Sequence, residues 1–300
     1  MGKRTKAAII GLLVLSLLLA AFLIYILSGY GSWMAYTSYL QEPQEIYNME
    51  AGIVKRLWEF QDGNDYIITY DLENAEYPEL LTRYGIEDIA GNGSEFEKVK
   101  ALMNAFSGRL HHKPDYDNQS DMNALALLEY SLDNKSHGIN CRAKSQIMNE
   151  MCLAMGLYSR KVWINPNSAY DTDCHVVNEI WDTALHQWVM LDITNNSYWV
   201  DEAGKPLSVL EIRDHIANQE FCTPVTPGDS LTDLHQSLRR HYDNFLYIAK
   251  NMVYMYYCTN NSTGETDSFY ILLPKACALN ESAPLILISK KSIDSAPFAE

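Results

Sequence analysis

Two short runs, "CHVVNEIWD" (174–182) and "QWVMLDIT" (187–194), constrain this chain more than any other part of its 300 residues. Both are rich in β-branched and aromatic residues, and only "TALH" lies between them, so they predict an antiparallel hairpin. On the first strand His175, Val177, Glu179 and Trp181 share a face. On the second, Trp188, Met190, Asp192 and Thr194 do. If Trp181 pairs with Trp188, Val177 lies opposite Asp192, and His175 opposite Thr194. Asp192 then becomes the diagonal neighbour of His175, about 7–8 Å away between backbones and bridgeable by side chains. A slip of one residue would send the two to opposite faces. The register therefore carries chemical content.

A second stretch, "HGINCRAKSQIMNEMCLAMG" (137–156), reads as a helix that begins at a cysteine. Ala143, Ile147, Met151, Cys152 and Met155 recur at three- and four-residue steps, and Gly156 is placed to end the helix. Cys141 falls on roughly the same face. Unpaired N–H groups and the helix dipole at this end favour a thiolate. Taken alone, a cysteine is more often structural. A thiol at a helix start, an imidazole on one strand and a carboxylate on the next supply a nucleophile, a base and an orienting group. In that reading His175 takes the thiol proton and later delivers one to a leaving amine, while Asp192 holds the imidazole in the useful tautomer.

Through "GINCRAKSQIMNEMCLAMGLYSRKVW", "HVVNEIW" and "WVMLDIT", about residues 138–194, the chain resembles the transglutaminase-like superfamily of papain-type thiol enzymes. The resemblance implies an α+β fold, with N-terminal helices and the Cys-bearing helix packed on an antiparallel sheet. It implies a catalytic triad at Cys141, His175 and Asp192, and thioester chemistry on protein or peptide amides. It does not separate transfer to an amine (a protein-glutamine acyltransferase) from hydrolysis (a cysteine peptidase or amidase). The alternative is a catalytically silent member that binds a peptide or protein partner in the same cleft. The Cys141 backbone N–H is the expected oxyanion donor. Tyr116 and His137 are the candidates for its side-chain companion, and Glu179 suits a structural role as well as a catalytic one. No calcium loop or zinc spacing is present, so no cofactor or metal is expected.

The net charge of −15, or −18 with Lys3, Arg4 and Lys6 set aside, argues against a nucleic-acid partner. Oligomeric state is not legible. At the N-terminus "AAIIGLLVLSLLLAAFLIYIL" (7–27) is uncharged and predicts a single transmembrane helix. The basic tail (1–6) would stay cytoplasmic and the enzyme domain outside the cell. A cleaved signal peptide with a small-residue site at Gly29–Tyr30–Gly31 is the competing reading.

Residues 28–50, with "QEPQE", read as a linker, 51–203 as the transglutaminase-like core, and 204–300 as helices and strands that extend the core or form a small lobe. Within the core, "DYIITYDL" (65–72) predicts a strand. Ser94 and Glu97 predict a capping box ahead of a helix that buries Phe96, Val99, Leu102, Met103, Phe106 and Leu110. A helix at 121–132 has Ser120 as its expected cap. In the tail "SVLEIRDHI" predicts a helix capped by Ser208. Cys222, Cys258 and Cys277 are candidates for a disulfide.

Overall fold

In a computed structural model of the chain, residues 2–27, 41–168, 171, 173–227, 234–277, 279 and 285–298 are described. Helix α1 (Lys3–Leu27) comes first, followed by α2 (Gln41–Arg56) and the two-residue strand β1 (Thr69–Tyr70). Five more helices follow before the main sheet: α3 (Tyr77–Tyr84), α4 (Ile86–Ala90), α5 (Glu95–Ser107), α6 (Ala124–Ser131) and α7 (Cys141–Ala154). Then come β2 (Ser159–Asn165), β3 (His175–Asp182), β4 (Gln187–Asp192), β5 (Ser197–Asp201), α8 (Val209–Asn218) and β6 (Cys222–Val225). The chain continues through α9 (Leu234–Asn251), β7 (Tyr254–Cys258), β8 (Asn260–Asn261), β9 (Phe269–Leu272) and α10 (Lys290–Asp294).

Seven strands form one sheet in the order β6-β5-β4-β3-β2-β7-β9, with every neighbouring pair antiparallel. β3 is central and buried along its whole length because both faces are covered. On one face Ile180, Val189 and Leu191 pack with Val99 of α5, Leu127 of α6 and Ile147 and Met151 of α7. On the other, Val177, Met190 and Trp199 pack with Val54 of α2, Ile212 of α8 and Ile248 of α9. The hairpin has the register set by the tryptophan pair: Trp181 faces Trp188, and Asn178 faces Leu191. The six apolar residues expected on the buried face of α5 and just beyond it, Phe96 to Leu110, are each at most 8% exposed.

Several expectations are corrected. The transmembrane helix expected at 7–27 lies within α1. Among the described residues no helix is long and apolar enough to cross a membrane. That finding overturns the transmembrane element of the fold and the single-pass topology, and with them the ground on which the domain was expected outside the cell. The cleavage site at Gly29–Tyr30–Gly31 lies outside the described residues.

Smaller corrections concern local order. The linker reading of 28–50 fails from residue 41, where α2 begins. Of the strand expected at 65–72, only Thr69 and Tyr70 pair, in parallel with Asn260 and Asn261; Ile67 points outward, 78% exposed, with no sheet face to cover. Ser94 does cap α5 by accepting from the Glu97 N–H, but the Glu97 carboxylate binds Lys100 at 2.6 Å, so the reciprocal half of the box is missing. Asn123, not Ser120, caps α6; the Ser120 N–H donates to the Tyr116 hydroxyl instead. Ser208 caps α8 in a complete capping box.

Candidate active site

Cys141 is the first residue of α7, and the chain before it is tightly held. The Asn140 side chain accepts the Ala143 N–H at 3.0 Å, which fixes the first turn. Ile139 exchanges backbone hydrogen bonds with the 111–113 segment: its N–H donates to the His111 carbonyl at 2.9 Å, and its carbonyl accepts from Lys113 at 3.0 Å. This close approach requires Gly138, where a Cβ would lie 2.9 Å from the Lys113 Cβ and 3.2 Å from the His111 oxygen. One turn further, the Ser145 hydroxyl donates to the Val176 carbonyl at 2.8 Å, and Asn178 Nδ2 donates to the Ser145 carbonyl at 3.0 Å. The start of the helix is thereby pinned to the residues that follow His175 on β3.

His175 opens β3 and is 2% exposed. Its Nε2 lies 2.8 Å from Asp192 Oδ2, the diagonal contact the hairpin register implies. With Nε2 engaged there, the other ring nitrogen is the one left for the Cys141 sulfur, to which the ring is hydrogen-bonded. The Tyr247 ring and the imidazole form a T-shaped pair at a centroid distance of 5.2 Å. Asp192 is fully buried yet saturated with donors. Its Oδ1 accepts the Thr194 N–H at 2.9 Å and the Asn195 N–H at 3.2 Å, while Oδ2 accepts Asn195 Nδ2 at 2.7 Å.

These contacts set the protonation states. Burial works against charge on all three groups. For His175 the Asp192 carboxylate outweighs that penalty, with help from Cys141, and the imidazole pKa rises well above its ordinary value. For Asp192, the His175 charge and the hydrogen bonds from His175 and Asn195 overcome burial and hold the carboxyl below its ordinary range. Burial pushes the Cys141 thiol up, but the hydrogen bond and charge of His175 and the Val176 backbone N–H pull it further down. A lowered thiol beside a raised imidazole favours a thiolate–imidazolium pair, the reactive form of cysteine.

The other five cysteines show the contrast. Burial pushes Cys152 and Cys222 up to about 12, Cys174 and Cys258 up to about 11, and raises Cys277 as well. All six are free, so the disulfide considered among Cys222, Cys258 and Cys277 is absent.

The side-chain oxyanion candidates are committed elsewhere. Tyr116 holds the Ser120 N–H, and His137 stacks on Tyr130 at 4.3 Å with its Nδ1 at the Tyr130 carbonyl. Glu179 is a structural anchor: Oε2 takes Arg160 Nη2 at 2.7 Å and Nε at 2.9 Å, and Oε1 takes the Val209 N–H at the start of α8.

Three neighbours of the site escaped the sequence reading. Asn195 orients Asp192, and its place three residues on was a readable local signal. Lys144 lies one turn after Cys141, where the i,i+3 spacing places it on the same side of the helix. His112 is brought to the cluster only by the pairing of segment 111–113 with Ile139, which no local pattern announces.

Comparison with known proteins bears on the same residues. Residues 85–193 match the family model of the transglutaminase-like superfamily. No curated protein matches the chain. Among solved structures, the chain is similar to a "Putative Cysteine Protease from Cytophaga hutchinsonii", at 14% identity and a TM-score of 0.31, over 52% of this chain and 52% of that one. The chain thus spans about half the length of that relative. The matched stretch, residues 85–193, holds Cys141, His175 and Asp192.

Proposed function

We propose that this protein carries out thiol-dependent acyl transfer or hydrolysis on protein or peptide amides, with Cys141 as nucleophile, His175 as general base and acid, and Asp192 as the group that orients the imidazole. The observation that carries the reading is selective. Of six cysteines, Cys141 is the one whose thiol is pulled down, and it is hydrogen-bonded to an imidazole that is itself held by a buried carboxylate at 2.8 Å.

In the first half-reaction the Cys141 proton resides on His175, and the sulfur attacks the amide carbonyl. A C–S bond forms, the C–N bond breaks, and His175 returns the proton to the leaving amine. The carbonyl oxygen, negative in the tetrahedral intermediate, is stabilised by the Cys141 backbone N–H at the start of α7. An amine or water then attacks the thioester, giving up a proton to His175, and the sulfur leaves as the thiol. The acceptor that reaches the thioester decides between transamidation and hydrolysis.

A thiol-directed alkylating probe at neutral pH tests the assignment. Cys141 is expected to label ahead of the other five cysteines, and Cys141→Ala or His175→Ala to abolish that fast labelling. Uniform reactivity among the six would turn the reading toward a peptide-binding module. A labelled primary amine offered with a glutamine-containing protein then separates transfer, read as incorporation, from hydrolysis, read as deamidation or chain cleavage without incorporation.

A further inference from the structure

Lys144 is a buried cation that neither the family match nor the triad accounts for. It is 2% exposed, one of the largest side chains enclosed in the fold. Its backbone is fixed: its own N–H donates to the Asn140 carbonyl at 3.0 Å, and the next residue is clamped to β3 by the Ser145 and Asn178 hydrogen bonds. The side chain therefore leaves the helix one turn past the sulfur, on its side. A buried ammonium is costly unless nearby charge compensates it. The charges acting on it are the Asp192 carboxylate from β4 and the Cys141 sulfur from its own helix. His112, on the segment paired with Ile139, whose own pKa is lowered by burial and by Lys144, and His175 of β3, through its contacts with Cys141 and Asp192, complete the set of titratable groups around it.

We infer that Lys144 is an electrostatic positioning residue of this centre, a second cation that holds Cys141 as a thiolate when substrate binds and compensates the carboxylate behind His175. This rests on the proposed role of Cys141 as the acyl-carrying thiol. Lys144 acts through the sulfur and takes no proton from substrate. Burial lowers its own pKa to about 8, so its charge is present through neutral pH and is lost on the alkaline side.

The test is the pH profile of Cys141 alkylation by iodoacetamide in the full-length protein. Lys144→Met is expected to shift the acid limb upward by about one unit, a roughly tenfold slower labelling at pH 6, as expected for removing an opposite charge nearby. Lys144→Arg, which keeps the charge, is expected to restore most of the rate. Unchanged profiles in Lys144→Met overturn the inference. If that variant does not fold, the coupling is read from the other side. Competitive acylation of amines reports the titration of Lys144, whose midpoint is expected to fall in Cys141→Ala because coupling is reciprocal; an unmoved midpoint overturns the inference equally. The two claims fail separately. Without turnover on any amide, a profile that still moves leaves Lys144 coupled to a thiol whose proposed reaction is wrong. Turnover with an immobile profile removes Lys144 alone.

Discussion

Two buried ion pairs lie on the same face of β3, four residues apart, and they do opposite things. At Glu179 the partner is Arg160, 2.7 Å away, and both groups are closed off. The guanidinium also donates to the Ile293 carbonyl at 2.9 Å and lies 3.8 Å over the Trp188 ring, while the second carboxylate oxygen caps α8. At Asp192 the partner is His175, and there one ring nitrogen remains for the sulfur of Cys141. Arginine cannot release its proton, so the first pair can only hold the sheet to its neighbours. Histidine can, so the second pair can move one. In the proposed mechanism, two carboxylates on one hairpin are thus divided between structure and chemistry by the titration range of the cation each one meets.

The contrast breaks most sharply at the sulfur. Cys141→Ala or His175→Ala is expected to reduce acyl transfer by on the order of 10⁶, measured as single-turnover thioester formation. Asp192→Asn keeps the shape but loses the charge. A drop in rate on the order of 10⁴ is expected, checked by the same assay, and a rate near wild type would place Asp192 with Glu179 as mere structure.

The complementary change is Arg160→Met, which leaves Glu179 buried and unpaired. It is expected to cost about 3–5 kcal/mol in urea denaturation, while the pH profile of Cys141 labelling stays where it was. A profile that moved with it would mean the two pairs are not independent. Asn195→Ala, which removes one hydrogen bond to Asp192, is expected to cost about 1–2 kcal/mol and to lower the rate modestly.

Acidity sharpens the comparison further. The reactive pair is deprotonated sulfur with protonated imidazole. Activity is expected to rise through the lowered Cys141 pKa, below that of an ordinary thiol, and to fall as His175 deprotonates above its ordinary value. An acid limb at the ordinary thiol pKa would show that the imidazole is not coupled to the sulfur.

Where sequence reading succeeded, local geometry carried the information. Period-two alternation and a short turn placed His175 and Asp192 on one face of a hairpin, and helical spacing placed Cys141 at a helix start. The buried face of α5 and the Ser208 cap were legible for the same reason. Reading failed where an outcome depended on partners remote in the chain. Thr69 and Tyr70 pair only because Asn260 and Asn261 lie beside them, and the rest of "DYIITYDL" finds no strand partner despite its alternation. The neighbours of Ser94 and Ser120 were similarly decided by competitors for the same groups, Lys100 and Tyr116.

The sequence by itself determined which three residue types stand at which strand and helix positions, because side-chain direction follows from backbone period alone. Tertiary structure decided what those positions mean. It chose Arg160 for Glu179, from a strand 19 residues earlier in the chain, and His175 for Asp192. It buried Lys144 beside the sulfur and brought His112 across from a segment 29 residues before the cysteine. Protonation is the reason for that division: a pKa depends on burial and on every charge within several ångströms, and those neighbours are set by packing, not by spacing along the chain.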